Sequence, residues 1–284
     1  MQRLKIATLN IWNKSGPWLK RLPMIREELA RLSPDVVGFQ EVLRLGAGDK
    51  ASSSPESDQA IEIAEGLGYQ IAFGSAADYA SGLQFGNAVL SRHPILASQN
   101  FALPGAESGE TRALLYAAIG TPFGELPMFV THLNWKLHHG CVRLSQVRFI
   151  VARIFELAPV DDAKLPPVLV GDFNADPDSD EIRFLRGLHS VEGKSVYFAD
   201  AWSYAGDGGG GFTFDRKNRF AALAHEPPRR IDYIFVRGPD RKFRGEPLET
   251  RLAFASERPD VEGALWPSDH FGVVSELAAE PRSE

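Results

Sequence analysis

Short runs of apolar residues, bounded by polar or turn-forming residues, recur along the whole chain. Runs of this length that are rich in Val, Ile, Leu and Phe are typical of strands buried in a sheet. The predicted strands cover residues 3–11, 35–42, 69–73, 87–91, 112–119, 126–133, 167–173, 230–236 and 271–277.

Helical spacing, with apolar residues three or four positions apart, occurs in fewer stretches. These stretches contain Leu22, Ile25, Leu29 and Leu32, then Val147, Ile150, Ile154 and Leu157, and lastly Ile182, Leu185 and Leu188. Strands outnumber helices, hairpin-like neighbours mix with strand–helix–strand units, and no repeat of about 20 to 50 residues is present. The pattern predicts a mixed α/β sandwich, and we expect a single domain over residues 1–284 because no linker interrupts it.

The composition narrows the class of protein. The 284 residues are 44% hydrophobic, enough for a full core, and the formal net charge of −6 is unlike that of a protein that coats nucleic acid. A single cysteine, Cys141, excludes an internal disulfide and a cysteine-based zinc site, and we expect it to be a small apolar side chain in a helix. With no apolar signal core and no run of about 18 apolar residues, we expect a cytoplasmic protein without a transmembrane segment.

Polar residues stand at the carboxyl ends of several predicted strands. Asn10, Glu41, His132 and Asp172 each follow an apolar run. Such strand ends lie along one edge of a packed sheet, so we predict that these residues converge on one pocket. Taken singly, each has an ordinary alternative, such as a turn cap for Asn10, a strand-end charge for Glu41 and a hydrogen-bonded interior imidazole for His132.

Two further groups point to chemistry at phosphorus. Asp232 is an acid flanked by apolar residues inside a predicted strand, which is costly unless its partner is a cation or a metal. The adjacent Asp269 and His270, together with Asp172 and Asn174, supply carboxylate, amide and imidazole, the groups that hydrated Mg²⁺ and a phosphate ester need. Hydrolysis at phosphorus is therefore the favoured function.

Other motif matches fail on inspection. The acids from Asp172 onward alternate as in a calcium-binding EF-hand loop, but its sixth and twelfth positions hold Pro177 and Arg183 instead of Gly and Glu. The glycines of residues 206–211 match the dinucleotide pattern but lead into Phe212-Thr213-Phe214, not into a helix. The first segment therefore does not indicate a calcium site, and the second does not indicate a dinucleotide-binding site.

The chain resembles the endonuclease/exonuclease/phosphatase superfamily. The resemblance runs from residue 8 to residue 273, and its motifs occur in the family's order. They are Thr8-Leu9-Asn10, Phe39-Gln40-Glu41-Val42, Thr131-His132-Leu133, Gly171-Asp172-Phe173-Asn174, Arg230-Ile231-Asp232-Tyr233 and Ser268-Asp269-His270. The resemblance implies an α/β fold that is a four-layer sandwich of two packed mixed β-sheets flanked by helices.

The resemblance also implies a Mg²⁺ cofactor, with Mn²⁺ as a substitute. Glu41 would ligate the metal directly, with Asn10 and Asp269 close to it. These are oxygen-bearing side chains, as a hard divalent cation requires.

The same resemblance implies roles in catalysis for the remaining motif residues. His270 would be the general base, oriented by Asp232, for in-line attack of water. Asp172 and Asn174 would manage the attacking or departing oxygen, and His132 would donate to a phosphate oxygen. Arg112 either contacts the substrate phosphate, as basic residues do in several relatives, or is a solvated arginine at the start of a strand.

The substrate class stays open at the level of sequence. The basic residues Arg216, Lys217, Arg219, Arg229 and Arg230 either hold additional phosphates or form a solvated loop. We slightly favour a small-molecule or lipid-like anionic phosphoester over nucleic acid, because the chain is acidic and lacks interleaved aromatic and basic residues. A nuclease acting on DNA or RNA and a non-catalytic scaffold for a phospholigand or a protein are the alternatives.

Overall fold

Two β-sheets form the centre of the protein. A computed structural model describes residues 2–45, 58–238 and 240–281. In spatial order, the six strands of the first sheet are β11 (Pro247–Ala253), β14 (Gly272–Ala278), β1 (Arg3–Asn10), β2 (Val36–Leu45), β4 (Leu83–Ser91) and β3 (Gln70–Asp78). Those of the second sheet are β5 (Ile95–Ala102), β6 (Ala113–Thr121), β7 (Gly124–His132), β8 (Val168–Asp172), β10 (Asp232–Arg237) and β9 (Phe198–Asp200).

Helices and a small hairpin complete the described part of the chain. The helices are α1 (Trp18–Leu32), α2 (Gln59–Ala64), α3 (Gly140–Leu157), α4 (Asp180–Leu185) and α5 (Ala201–Ala205). Short 3-10 turns cover Ala106–Ser108 and Ala221–Ala224, and β12 (Arg258–Asp260) pairs with β13 (Gly263–Leu265). Among the residues described, no helix combines the length and the apolar character needed to cross a bilayer.

The sheets pack face to face because successive side chains of a strand point to opposite faces. In β8, Val168 and Val170 belong to the core between the sheets, whereas Leu169 belongs to the core under α3 and α4. In β2, Val36 faces the other sheet and Val37 faces α1 and α2. The sequence is therefore apolar on both faces of its central strands, and the predicted α/β sandwich of two mixed sheets flanked by helices is confirmed.

The central strands bring their functional ends to one edge. β1 pairs with β2, and β7 with β8, in parallel, so the carboxyl ends of these four strands point the same way. β14 and β10 run antiparallel to their neighbours β1 and β8, so they begin at that edge. Asp172 at the end of β8 consequently lies opposite both His132 and Asp232 in the strand register.

Some sequence predictions of secondary structure were wrong. β5 and β11 were missed, because β5 is almost entirely exposed and β11 alternates apolar and polar residues without a continuous apolar run. Both are edge strands of their sheets. The helix predicted to reach Leu188 ends at Leu185, and Cys141 is exposed on α3 instead of packed as an apolar side chain.

Candidate active site

Backbone strain marks the strand ends that form the site. Glu41 has a positive φ of 60° and lies at a β-bulge between Phe39 and Val42, where the pairing of β2 with β4 shifts register. A non-glycine residue in this region costs about 1 to 3 kcal/mol, and such strain collects at functional positions. The bulge turns the Glu41 carboxylate out of the strand alternation and toward Asn10.

Close backbone approach requires a glycine directly before Asp172. Gly171 has a φ of 147°, and a Cβ at this position would lie 1.9 Å from the Thr131 carbonyl oxygen. Only glycine fits this conformation and this distance. The parallel pairing of β7 with β8 at this point places the Asp172 side chain beside His132.

Amide side chains hold the carboxylates of the site together. Asn10 Nδ2 donates to Glu41 Oε1 at 3.2 Å and to Asp172 Oδ2 at 3.0 Å, so one amide joins the ends of β1 and β8 to the middle of β2. The oxygen of Asn10 accepts from the Trp12 backbone N–H at 2.9 Å. Asn13 Nδ2 donates to the other Glu41 oxygen at 2.9 Å. Asn10 therefore contributes an N–H donor between two carboxylates.

His270 lies between two buried carboxylates. Its Nδ1–H donates to Asp232 Oδ2 at 2.9 Å, and its Nε2 is 3.7 Å from Asp172 Oδ2. The second oxygen of Asp232 is buried and has no hydrogen-bond partner among the described residues. The cationic partner that the sequence predicted for Asp232 is thus the imidazole of His270.

Burial and mutual repulsion raise the pKa values of two acids in the site. Burial raises the pKa of Asp172 to about 7, and the nearby Asp232 carboxylate acts in the same direction. Burial also raises the pKa of Asp269 to about 6, with a further contribution from Glu41. Burial alone would lower the pKa of His270, but the surrounding Asp232, Asp172 and Asp269 carboxylates raise it well above its ordinary value.

The second histidine has the opposite electrostatic environment. Burial, together with the charges of Arg112 and His270, lowers the pKa of His132 well below its ordinary value, so this imidazole is neutral. His132 Nε2 lies 3.4 Å from Asp172 Oδ2, and its buried Nδ1 has no partner within the described segments. The two histidines of the site therefore differ in charge.

Arg112 and Asn174 meet at one backbone carbonyl beside His132. Arg112 Nε donates to the Leu133 oxygen at 3.0 Å, and Asn174 Nδ2 donates to the same oxygen at 3.2 Å. Arg112 is buried and pairs with Glu110 at 3.2 Å. The alternative that Arg112 is a solvated arginine is therefore wrong.

The sequence profile of the Endonuclease/Exonuclease/phosphatase family matches residues 7–270, a span that contains every one of these side chains. The chain belongs to the endonuclease/exonuclease/phosphatase family. Endonucleases, exonucleases and phosphatases all cleave phosphoester bonds by hydrolysis, so the protein is a member of a family of phosphoester hydrolases. No curated protein matches its sequence.

Solved structures of family members share the fold. D. rerio TDP2 in complex with a single-strand DNA product is 21% identical over 98% of this chain and 99% of that chain, with a TM-score of 0.73. A mannosyl-6-phosphatase from Bacteroides thetaiotaomicron is 20% identical over 97% and 99%, with a TM-score of 0.72. An endonuclease/exonuclease/phosphatase from Beutenbergia cavernae is 25% identical over 98% and 72%, with a TM-score of 0.69.

The donor set of this family member fits a divalent cation. Glu41 is close enough to Asp269 to contribute to the raised pKa of that carboxyl, and Ser268 Oγ joins Asp269 to the Asn10 carbonyl by hydrogen bonds of 3.2 and 2.7 Å. Closely spaced, half-buried carboxylates supply the hard oxygen donors that Mg²⁺ or Mn²⁺ binds. A bound cation would remove the repulsion that these acids now experience.

A second group of side chains also has the spacing of metal ligands. Ligand atoms of Asp172, Asp232 and His270 lie within 4.8 Å of one another. His270 Nδ1, however, already donates to Asp232, and its Nε2 faces Asp172. The hydrogen bond would have to break before this group could bind a metal through both Asp232 and Nδ1.

Several supporting residues have no motif that sequence reasoning could have used. Arg21 of α1 is completely buried and donates to the backbone oxygens of Ile11, Asn13 and Pro267, among others. Burial lowers the pKa of Arg21 to about 10, while the charges of Asp269 and Glu41 oppose this shift. Arg21 therefore supplies a fixed positive charge near the predicted metal ligands. The supporting role of Arg21 is visible only from its burial in the folded protein, which the sequence does not show.

The basic residues singled out in the sequence separate into two sets. Arg230 forms a bidentate ion pair with Asp200, and Arg229 pairs with Asp176 and Glu226. These contacts are buried or half-buried and stabilise the fold. Arg216 and Lys217 are exposed, and Arg219 is half-buried. Arg229 and Arg230 are thus engaged inside the protein and do not form a surface that could hold additional phosphates.

Proposed function

We propose that the protein is a Mg²⁺-dependent phosphoester hydrolase in which His270, oriented by Asp232, activates water for in-line attack on phosphorus. The observation that carries the proposal is the buried Asp232–His270–Asp172 array beside the carboxylates of Glu41 and Asp269. It places a base beside a set of metal ligands in one site. No covalent intermediate is needed, because the array activates water and contains no nucleophilic Ser or Cys.

The base is held by its carboxylate partner. The hydrogen bond from His270 Nδ1 to Asp232 fixes the tautomer and leaves Nε2 to accept the proton of the attacking water. The carboxylates that raise the pKa of His270 also stabilise the imidazolium that forms in this step. Asp232 is a positioning residue in this scheme, and His270 is the catalytic base.

Glu41 and Asp269 would hold the cation, with Asn10 beside them. When bound there, Mg²⁺, or Mn²⁺ in its place, would offset the negative charge that develops on the phosphate. Asn10 keeps Glu41 and Asp172 at hydrogen-bond distance from one amide group, which positions the metal ligand Glu41 relative to Asp172.

The remaining side chains contact the phosphate and the exchanging oxygens. His132 is neutral and donates one hydrogen bond to a phosphate oxygen, with the Arg112 guanidinium next to it. Asp172 and Asn174 manage the attacking or departing oxygen. The Asp172 pKa of about 7 suits a group that gains and loses a proton near neutral pH.

For the substrate, we favour a small-molecule or lipid-like phosphoester over nucleic acid. The formal net charge of −6 and the engagement of Arg229 and Arg230 inside the fold support this preference. A nuclease is the second candidate, since D. rerio TDP2, which has the same fold, was crystallised with a single-strand DNA product.

The proposal is tested by turnover of bis(4-nitrophenyl) phosphate with Mg²⁺, with Mn²⁺ and with EDTA. We expect His270→Ala and Glu41→Gln to lower kcat/KM by roughly 10²- to 10⁴-fold. The matched controls are His93→Ala, in the turn between β4 and β5, and Glu125→Gln, near the start of β7 at the opposite end of that strand from His132. Both should keep wild-type activity.

Full activity of both site variants would overturn these residue assignments, whereas absence of turnover by the wild type would favour a non-catalytic scaffold. A substrate panel then separates the candidate functions. If only plasmid DNA or single-stranded RNA were cleaved, and neither sphingomyelin nor an inositol or sugar phosphate were, the preference for small or lipid-like substrates would be wrong.

A further inference from the structure

The loop between β7 and α3, residues 133–139, is fixed from beneath by a buried arginine. Arg143 of α3 is 4% exposed and donates to the carbonyl oxygens of Asn134, Lys136 and Leu137 at 3.3, 2.8 and 3.4 Å. Its charge is balanced by Glu181, which accepts from Nε at 2.6 Å. One side chain thus binds three carbonyl groups of the loop backbone.

Two buried amides complete this support. Gln146 Oε1 accepts from the Asn134 N–H at 3.1 Å, and Asn134 Oδ1 accepts from the Lys136 N–H at 3.1 Å. Gln146 and Asn134 are completely buried. The backbone of the 133–139 loop is therefore held in a defined conformation, and a ligand that contacts it would not have to order it first.

The same loop exposes two large apolar side chains. Trp135 is 55% exposed and Leu137 is 57% exposed. Within the described part of the chain, the Trp135 ring has no aromatic or cation partner and its indole N–H has no acceptor. A single exposed apolar side chain is ordinary, but two on a rigidly supported loop form a surface ready to bind an apolar group.

This surface begins inside the proposed active site. The Leu133 carbonyl accepts from both Arg112 and Asn174, so the first residue of the loop touches two site side chains. Trp135 follows two residues later, and the chain between them spans at most about 7 Å. The Trp135 backbone N–H also donates to Glu110 Oε2 at 3.4 Å, and the same oxygen pairs with Arg112 at 3.2 Å. An ester group attached to a phosphate bound beside Arg112 would therefore lie near Trp135.

The charges around the loop bear on which kind of ester group would bind there. The neighbouring segment carries the exposed Glu107 and the half-buried Glu110, and Lys136 Nζ donates to the Ser108 carbonyl at 3.0 Å. Glu110 is neutralised by its ion pair with Arg112, so of these two acids it is Glu107 that would repel a polyanionic backbone. Leu137 has no π face on which a base could stack, whereas a hydrocarbon chain would contact both Leu137 and Trp135.

We infer that Trp135 and Leu137 determine substrate specificity by binding the hydrocarbon part of a lipid-like phosphoester at the rim of the active site. The inference rests on the proposed function, because the phosphate of that ester occupies the same site. It narrows the proposed substrate class to lipid-like esters and names the residues that recognise them. Apolar contact outside the reacting centre would favour longer hydrocarbon chains over shorter ones.

The test uses methyl and octyl esters of 4-nitrophenyl phosphate, each below its micellar concentration. These diesters share a leaving group and differ only in chain length. We expect the wild type to show roughly tenfold higher kcat/KM for the octyl ester, and the double variant Trp135→Ala/Leu137→Ala to lose most of that ratio. The double variant Leu96→Ala/Leu188→Ala, at similarly exposed leucines elsewhere, should keep it.

A binding measurement separates this inference from the proposed function. Calorimetry with octyl phosphate and methyl phosphate reports on the loop even if no ester were turned over, an outcome that would contradict the hydrolase proposal alone. Equal affinity of the wild type for the two phosphates, or an unchanged octyl preference in the Trp135→Ala/Leu137→Ala variant, would overturn the inference. So would a loss confined to the 4-nitrophenyl ester of thymidine 5′-phosphate, which would indicate base stacking.

Discussion

The imidazole of His270 shows how single residues of this site depend on one another. Asp232, Asp172 and Asp269 together raise its pKa well above the ordinary value, although burial acts in the opposite direction. A raised pKa means that the neutral, proton-accepting form of His270 becomes abundant only as the pH rises. The carboxylates therefore stabilise the charged product of proton transfer while delaying the appearance of the base.

Asp232→Asn tests the effect of Asp232 on both the pKa and the orientation of His270. Removal of one negative charge lowers the pKa of His270, so the rising limb of kcat/KM against pH should move to lower pH, while kcat falls by roughly 10²- to 10⁴-fold because the imidazole is less well oriented. The measurement is a pH profile at saturating Mg²⁺.

The chain provides a matched control in a second Asp–His pair. Asp35 Oδ1 lies 3.1 Å from His93 Nε2 before β2, at the opposite end of that strand from Glu41. Asp35→Asn should leave the profile unchanged. A profile of Asp232→Asn that coincides with that of the wild type would show that Asp232 does not set the ionisation of the base.

At the scale of elements, the segment 213–218 joins the beginnings of β10 and β14. Thr213 Oγ1 accepts from the backbone N–H groups of Ile231 and Asp232, both at 3.1 Å, and the Thr213 carbonyl accepts from the Phe271 N–H at 2.7 Å. Asn218 Nδ2 donates to the Ser268 carbonyl at 2.7 Å. One irregular segment thus fixes the backbone on both sides of the Asp232–His270 pair.

Thr213→Val should test this positioning role. The substitution keeps the shape of the side chain but leaves two buried N–H groups without an acceptor, so we expect the free energy of unfolding to fall by roughly 1 to 3 kcal/mol. We also expect kcat to fall about tenfold with a smaller change in KM, because the phosphate-binding side chains are untouched. Denaturant unfolding and steady-state kinetics measure the two effects.

Thr250→Val is the control for a buried hydroxyl. Thr250 is 3% exposed, and its hydroxyl lies 2.9 Å from that of Ser275 between β11 and β14. This variant should lose stability and keep kcat. Equal kcat in the Thr213→Val and Thr250→Val variants would mean that Thr213 supports the fold and nothing more.

At the scale of the whole molecule, the distance between the two sheets determines whether their strand ends can share one site. Glu41 and Asn10 belong to one sheet, whereas His132 and Asp172 belong to the other. Beneath them the sheets meet at Gly38, where an added Cβ would lie 2.5 Å from Val170 Cγ2 and 2.9 Å from Val130 Cγ2. The absence of a side chain at Gly38 allows this close approach.

Gly38→Ala should therefore push the sheets apart near the site. We expect a loss of roughly 1 to 3 kcal/mol in the free energy of unfolding from overpacking, and a lower kcat/KM under conditions where the variant is folded. The control is Gly238→Ala, whose added Cβ would have its nearest neighbour at 3.8 Å. Wild-type kcat/KM in Gly38→Ala would show that the site tolerates a change in sheet spacing.

Much of this architecture was predictable because burial leaves a periodic signal. Central strands such as β1, β7 and β8 are apolar on both faces, and the polar residues that follow them formed the predicted pocket. The exposed edge strand β5 leaves no such signal and was missed. The sequence left the role of Arg112 open between phosphate contact and a solvated position, because residue type alone does not show whether an arginine is buried.

The sequence by itself determined the alternation of apolar residues, and with it the strands, the α/β class and the polar residues at the strand ends. The tertiary structure alone decided which of these residues meet. Asp232 binds His270, Asn10 joins Glu41 to Asp172, and Arg21 lies beneath them because of strand order, register and sheet spacing. Such contacts join residues far apart in the chain, and local patterns of apolar residues carry no information about strand order.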